Sequence, residues 1–207
     1  MLDADLPDGL THLAATTPRS RTLATLAVDQ LPAEPAYWID ARNAAVTHTL
    51  YDCAPSRRVL EPLRIARAFT AYQHHELVAG LAERDPALVV APNVAALYRD
   101  DDLPEWERAD LLAATLEALT ALECPVLAST ATGRGAAAVA PHADATIEAT
   151  PTREGLRLEG AGLAVAGYHG TGYWQTTIPY WVELCGCVET LDPVVAAHDR
   201  GLLSVEG

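Results

Sequence analysis

The chain predicts an α/β fold: a mostly parallel sheet flanked by helices on both faces. Three observations predict it. Continuous apolar runs such as AYWIDA at 36–41 and ALVVA at 87–91 read as strands buried on both faces. Between such runs lie longer stretches with apolar residues at helical spacing; in the longest, leucines 111, 112, 116, 119 and 122 make one stripe. Strands that alternate with helices are joined by crossovers, and crossovers make parallel neighbours.

The elements follow in order. Thr11–Ala15 is a first short strand, and after a Thr/Pro/Arg/Ser turn Leu23–Leu31 has helical spacing. Ala36–Ala41 is the second strand and Arg64–Phe69 the third, with one helical candidate, Ser56–Leu63, in the Asn/Thr/Pro-containing stretch between them. Ala71–Glu83 is a helix that Asp85-Pro86 ends. Ala87–Ala91 is a strand, Pro104–Glu123 the longest helix with proline suited to its first turn, and Cys124–Thr130 the next strand. Ala145–Thr150 and Gly155–Glu159, either side of PTRE, predict an antiparallel hairpin at the sheet edge.

All 14 basic side chains are arginine; the chain has no lysine. Against them stand 28 Asp and Glu, for a net charge of -14. An acidic, lysine-free, alanine-rich surface is the composition expected of a cytoplasmic protein from a high-salt organism. There the Debye length is about 3 Å or less, so like charges barely repel. Acidity then argues against nucleic-acid binding less strongly than it does in dilute salt. No apolar run is long enough to span a membrane. The first residues, MLDADLPDGL, lack the basic and apolar regions of a signal peptide. Cys53, Cys124, Cys185 and Cys187 are too few and too uneven for a disulfide framework.

Several strings, in this order, resemble the RecA-type ATPase core of archaeal RadA recombinases and their RadB-like paralogues. LPDGL is similar to a lead-in "LPGGI", and AYWIDARN to a strand ending "YIDTE". RIARAFTAYQHHELV resembles "ARAFNSDHQ" with its following helix, and NVAALYRDDDLPEWERADLL resembles "DSVTALYR". CPVLAST stands where that family has "VTNQV", and HADATIEATPTREGLRLEG is similar to its closing hairpin. The resemblance covers roughly residues 6–160. It implies a RecA-like, P-loop-derived core over 1–160, followed by an aromatic-rich, β-rich C-terminal extension over 161–207.

The chemistry that the resemblance implies is missing. A phosphate-binding loop needs Gly-x-x-x-x-Gly-Lys-Ser/Thr: glycines let backbone N–H groups close on phosphate, lysine reaches the β/γ-phosphates, and the hydroxyl binds Mg²⁺. The matching segment here is Ala15-Thr16-Thr17-Pro18-Arg19-Ser20-Arg21-Thr22. Only Thr22 agrees. Ala15 and Ser20 replace the glycines, Arg21 replaces the lysine with a fork that is no point charge, and Pro18 removes a donor. The metal-holding Asp falls on Pro92 and the water-activating Glu on Arg42. Cradle, metal carboxylate and base are all absent, so the expectation is a pseudo-ATPase with no cofactor and no resident metal.

By the same resemblance, the loops that face single-stranded DNA are Val94–Glu105 and Ala131–His142. The first carries Asp100, Asp101 and Asp102; the second offers only Arg134, between glycines. Weak or no autonomous DNA binding is expected. The partner implied is a RadA-type recombinase or another repair protein, with homo- and hetero-oligomers both open.

Other features give bland readings. His74, His75 and Glu76 are adjacent, so on a helix they diverge by about 100° and read as a solvated face. Cys185 and Cys187 lack C-x-x-C spacing and read as small buried hydrophobes rather than zinc ligands. Tyr168, Tyr173, Trp174, Tyr180 and Trp181 crowd one short stretch of a chain with only four Trp, seven Tyr and one Phe. They are either the core of terminal strands or a partner-docking surface.

Overall fold

The computed structural model describes residues 6–15, 21–42, 47–99, 103–131, 133–152, 155–161, 163–170 and 173–176. Its elements are β1 (Gly9–Ala15), α1 (Arg21–Asp29), β2 (Ala36–Ala41), α2 (Thr47–Cys53), β3 (Leu63–Ala68), α3 (Ala71–Ala79), β4 (Leu88–Ala91), α4 (Glu105–Thr120), β5 (Pro125–Ala131), α5 (Arg134–Val139), β6 (Ala145–Thr152), β7 (Gly155–Gly160), β8 (Leu163–Gly170) and β9 (Tyr173–Thr176). Among the described residues the strands form one sheet in the order β3-β2-β4-β5-β1-β6-β7-β8-β9. Every pairing from β3 across to β6 is parallel, while β6–β7 and β7–β8 are antiparallel.

Strand alternation divides the core between the two faces. Leu13, Trp38, Val90, Leu127 and Ile147 point to the face covered by α1 and α2, where they meet Leu23, Leu26 and Leu50. Leu10, Ile39, Val89 and Val126 point to the other face and meet Val78, Leu116, Leu119 and Val139 of α3, α4 and α5. Every residue of α1 from Thr22 to Val28 is buried, so this helix is enclosed on all sides. Glu105 and Glu107 in the first turn of α4 suit its positive end. At α3, the Thr70 hydroxyl accepts the Gln73 N–H and caps the helix.

Three segments differ from the sequence expectation. The stretch before β3 contains a short helix, α2, that its β-branched, polar sequence THTLYDC conceals; Leu50 is its one buried residue. Ser56–Leu63 yields only a 3-10 turn, Arg57–Leu60. Residues 131–142 are not a loop: they carry α5 and a 3-10 turn, Ala140–His142.

The sheet also runs past the boundary expected at 160, because β8 pairs with β7 from Leu163 to Gly167. The compact unit that contains it is Met1–Gln175.

The turn between β7 and β8 depends on one glycine. Gly160 has φ +113, and a Cβ there would overlap the Thr146 carbonyl oxygen. Gly160→Ala is therefore expected to cost about 1–3 kcal/mol in urea unfolding, from the positive φ alone or more with the clash. An unchanged midpoint would mean that the turn is free to rearrange.

Candidate functional site

In open parallel sheets, ligands bind beyond the carboxyl ends of the strands. Here β1, β2, β4 and β5 run parallel, so the segments after them share that end. Ala15 closes β1 in register with Ala131 of β5 and Ala149 of β6, and it is buried. Thr16–Ser20, including Pro18 and the expected loop residue Ser20, lie outside the described residues.

Arg21 opens α1, but its Nη2 lies 3.4 Å from the Asp52 carbonyl oxygen of α2. The guanidinium thus braces two helices. Thr22 is 2% exposed, so its hydroxyl is closed off from solvent.

Arg42 follows β2 with φ 59, and its N–H donates to the Ala68 carbonyl at 3.2 Å. Two residues earlier, Asp40 is fully buried, with Nε of Arg67 at 3.4 Å. That carboxylate is committed to a neighbouring strand.

After β4, Pro92 is buried and begins a tight turn in which Asn93 has φ 51. Ser129 of β5 straps this turn down: its hydroxyl accepts the Asn93 N–H and its carbonyl the Val94 N–H, both at 3.0 Å. Val94 through Tyr98 are then buried. The first part of the expected DNA-facing loop, Val94 to Tyr98, is therefore core, with Leu97 and Tyr98 packed among residues of α3 and α4, whereas Arg99, Pro104 and Glu105 are exposed; Asp100, Asp101 and Asp102 lie outside the described residues.

A Cβ placed on Gly135 would lie within 4 Å of Ala95 and Thr130, and 3.9 Å from Nη1 of Arg99. Arg134 opens α5, with its side chain outside the described part. The backbones of Tyr168 and of Tyr173 and Trp174 run in β8 and β9, whereas Tyr180, Trp181, Cys185 and Cys187 fall outside the described residues.

Two histidines, His12 and His74, are buried in a way the sequence reading did not anticipate. His12 of β1 is 1% exposed, and its Nε2 lies 2.8 Å from the Thr130 hydroxyl. Burial lowers its pKa and keeps the ring neutral. This is an imidazole–hydroxyl pair at catalytic distance, yet neither partner is open to a substrate.

His74, expected on a solvated helix face, is instead fully buried, with Nδ1 2.8 Å from the Tyr98 hydroxyl. Helical spacing explains it: Ala71, His74 and Val78 form the stripe of α3 that packs inward. The Thr115 hydroxyl donates to the Leu111 carbonyl at 2.8 Å, so it accepts from Tyr98, whose oxygen accepts Nδ1–H of His74. Nε2 of His74 then has no hydrogen-bond partner among the described residues.

Among the described residues, no three His, Cys, Asp or Glu side chains stand together as a metal site, and no helix is long and apolar enough to cross a membrane. Arg42 and Pro92 directly follow β2 and β4, and Arg21 opens α1, the helix after β1. No protein-family model matches this chain, and no curated protein matches it either.

Proposed function

We propose that the chain is a degenerate RecA-like paralogue, a pseudo-ATPase that works through protein contacts in DNA recombination or repair. One observation carries the reading. The three positions where the resemblance demands phosphate-transfer groups follow three parallel strands at one end of the sheet, and they hold Arg21, Arg42 and Pro92. The sheet geometry suits a nucleotide fold while the side chains do not suit its chemistry. A subunit of that kind caps, bridges or modulates an assembly of active neighbours. Its partner in this reading is a RadA-type recombinase in the cytoplasm of a high-salt cell.

The test adds the purified chain to that recombinase in molar KCl and follows filament length and ATPase rate. A stoichiometric change in either supports the proposal; no change in both sinks it.

A second reading, nucleotide retention without hydrolysis, draws on a different observation. Arg21, Arg42, Arg99 and Arg134 lie in the segments that follow β1, β2, β4 and β5 of an acidic chain. Against it stand the commitment of Arg21 to α2 and the replaced glycines.

A further inference from the structure

The buried polar groups between α3 and α4 form one chain of hydrogen bonds. It runs from Nδ1 of His74 through the Tyr98 hydroxyl to the Thr115 hydroxyl, which Nδ1 of His75 also reaches at 3.0 Å. Because Thr115 gives its own hydrogen to the Leu111 carbonyl, both Tyr98 and His75 donate to its oxygen. The chain ties together α3, the 3-10 turn Leu97–Arg99 after β4, and α4. With Nδ1–H of His74 already engaged, a second proton on this ring goes to Nε2, which is buried and has no acceptor among the described residues.

The apolar packing around this chain is thin. Ala41, Ala68, Ala71, Leu97 and Tyr98 make a cluster separate from the two larger ones, and alanines bury little apolar area. Units with so few buried apolar contacts open locally at a fraction of the global stability. Ala41 and Ala68 end β2 and β3, which puts the cluster at the carboxyl end of the sheet.

The titratable neighbours give the ring no relief. His75, beside it on α3, adds repulsion, and Tyr98 stays neutral because burial pushes its hydroxyl up to about 12. On the other packed elements, Glu107 of α4 is bonded to the Tyr72 hydroxyl and Asp40 of β2 has Arg67 of β3 beside it. Glu76, Arg99 and Asp110 are exposed, and Arg108 is half-buried.

We propose that this hydrogen-bonded chain is an acid-sensitive latch: with His74 neutral it holds α3 and Leu97–Arg99 against the ends of β2 and β3, and proton uptake by His74 opens that unit ahead of the rest of the sheet. Burial holds the ring's pKa down to about 4 in the closed unit, and exposure returns it towards 6.5. Above pH 6.5 the closed unit keeps its full advantage. Between 6.5 and about 4 the open form gains up to tenfold per pH unit, because only that form takes up the proton. The latch stands independently of the recombinase reading, since it needs no partner.

Hydrogen exchange of the full chain in molar KCl, read by mass spectrometry at pH 7, 6 and 5 and corrected for the intrinsic pH dependence of amide exchange, tests it. Peptides over 71–79 and 94–99 are expected to lose protection about twentyfold from pH 7 to 5, while those from β1 and β5 keep theirs. His74→Gln, whose amide can still donate to Tyr98 but does not titrate, is expected to abolish that dependence. If this variant does not fold, Tyr98→Phe decides: it cuts the chain and keeps the histidine, so the same peptides are expected to exchange about fivefold faster at pH 7 with the pH slope retained. Equal loss of protection in β1 and β5, no loss in any peptide, an unchanged slope in His74→Gln, or indifference to Tyr98→Phe would each overturn the proposal.

Discussion

Acidification from pH 6.5 to 4 is expected to remove about 3 kcal/mol of folding stability through His74 alone. Burial, with a smaller contribution from the neighbouring His75, holds its pKa down to about 4, against 6.5 in the unfolded chain. Above pH 6.5 both states keep the ring neutral, so stability there is flat in this group. Through the window between the two values the unfolded chain binds the proton and the folded chain refuses it, so stability falls with pH. Below pH 4 both states are protonated and the loss is complete. Burial lowers His12 too, in the same direction. Urea unfolding at several pH values checks this, with His74→Gln as the control expected to flatten most of the slope. An equal slope in the variant would place the pH dependence elsewhere.

That histidine also shows how a sequence misleads. Three polar residues in a row, His74, His75 and Glu76, look like a wet helix face. Only the i, i+3, i+7 spacing of Ala71, His74 and Val78 betrays the buried side, and a histidine counts as polar in that pattern. Tyr98, which pairs with Nδ1 of the ring, and Thr115, which accepts from Tyr98, lie far along the chain and give no local signal.

Leu127→Ala is expected to cost about 2–5 kcal/mol. Leu127 is fully buried in β5, which is hydrogen-bonded to β4 on one side and β1 on the other. Its register neighbours are Val90 and Thr11, and it points to the face where Leu23 and Leu26 of α1 pack. Enclosed along its length, α1 has little freedom to sink into the cavity left behind. Equilibrium unfolding in molar KCl measures the loss. A cost below about 1 kcal/mol would mean that the strand is shifted by one residue and the side chain faces elsewhere.

Strands were the most legible part of this chain. ALVVA and AYWIDA have no polar alternation because helices cover both faces, and the order of alternating elements then implied a parallel sheet. Helices α2 and α5 were not legible. The first buries a single leucine, and the second, RGAAAV, follows a glycine with φ 100 and is built mainly of alanine, with no stripe to detect. At the candidate site, the bracing of Arg21 against Asp52 and the pairing of Asp40 with Arg67 belong to tertiary structure and give no local signal in the sequence.

Equilibrium dialysis of labelled ATP with Mg²⁺ against the full chain in molar KCl tests most directly whether the segment from Ala15 to Thr22 has lost its hold on a triphosphate. The replacements at Ala15, Ser20 and Arg21 predict no saturable binding up to millimolar nucleotide. Saturable binding in the micromolar range would contradict this and would make Arg21 part of a working anion site rather than a brace between two helices.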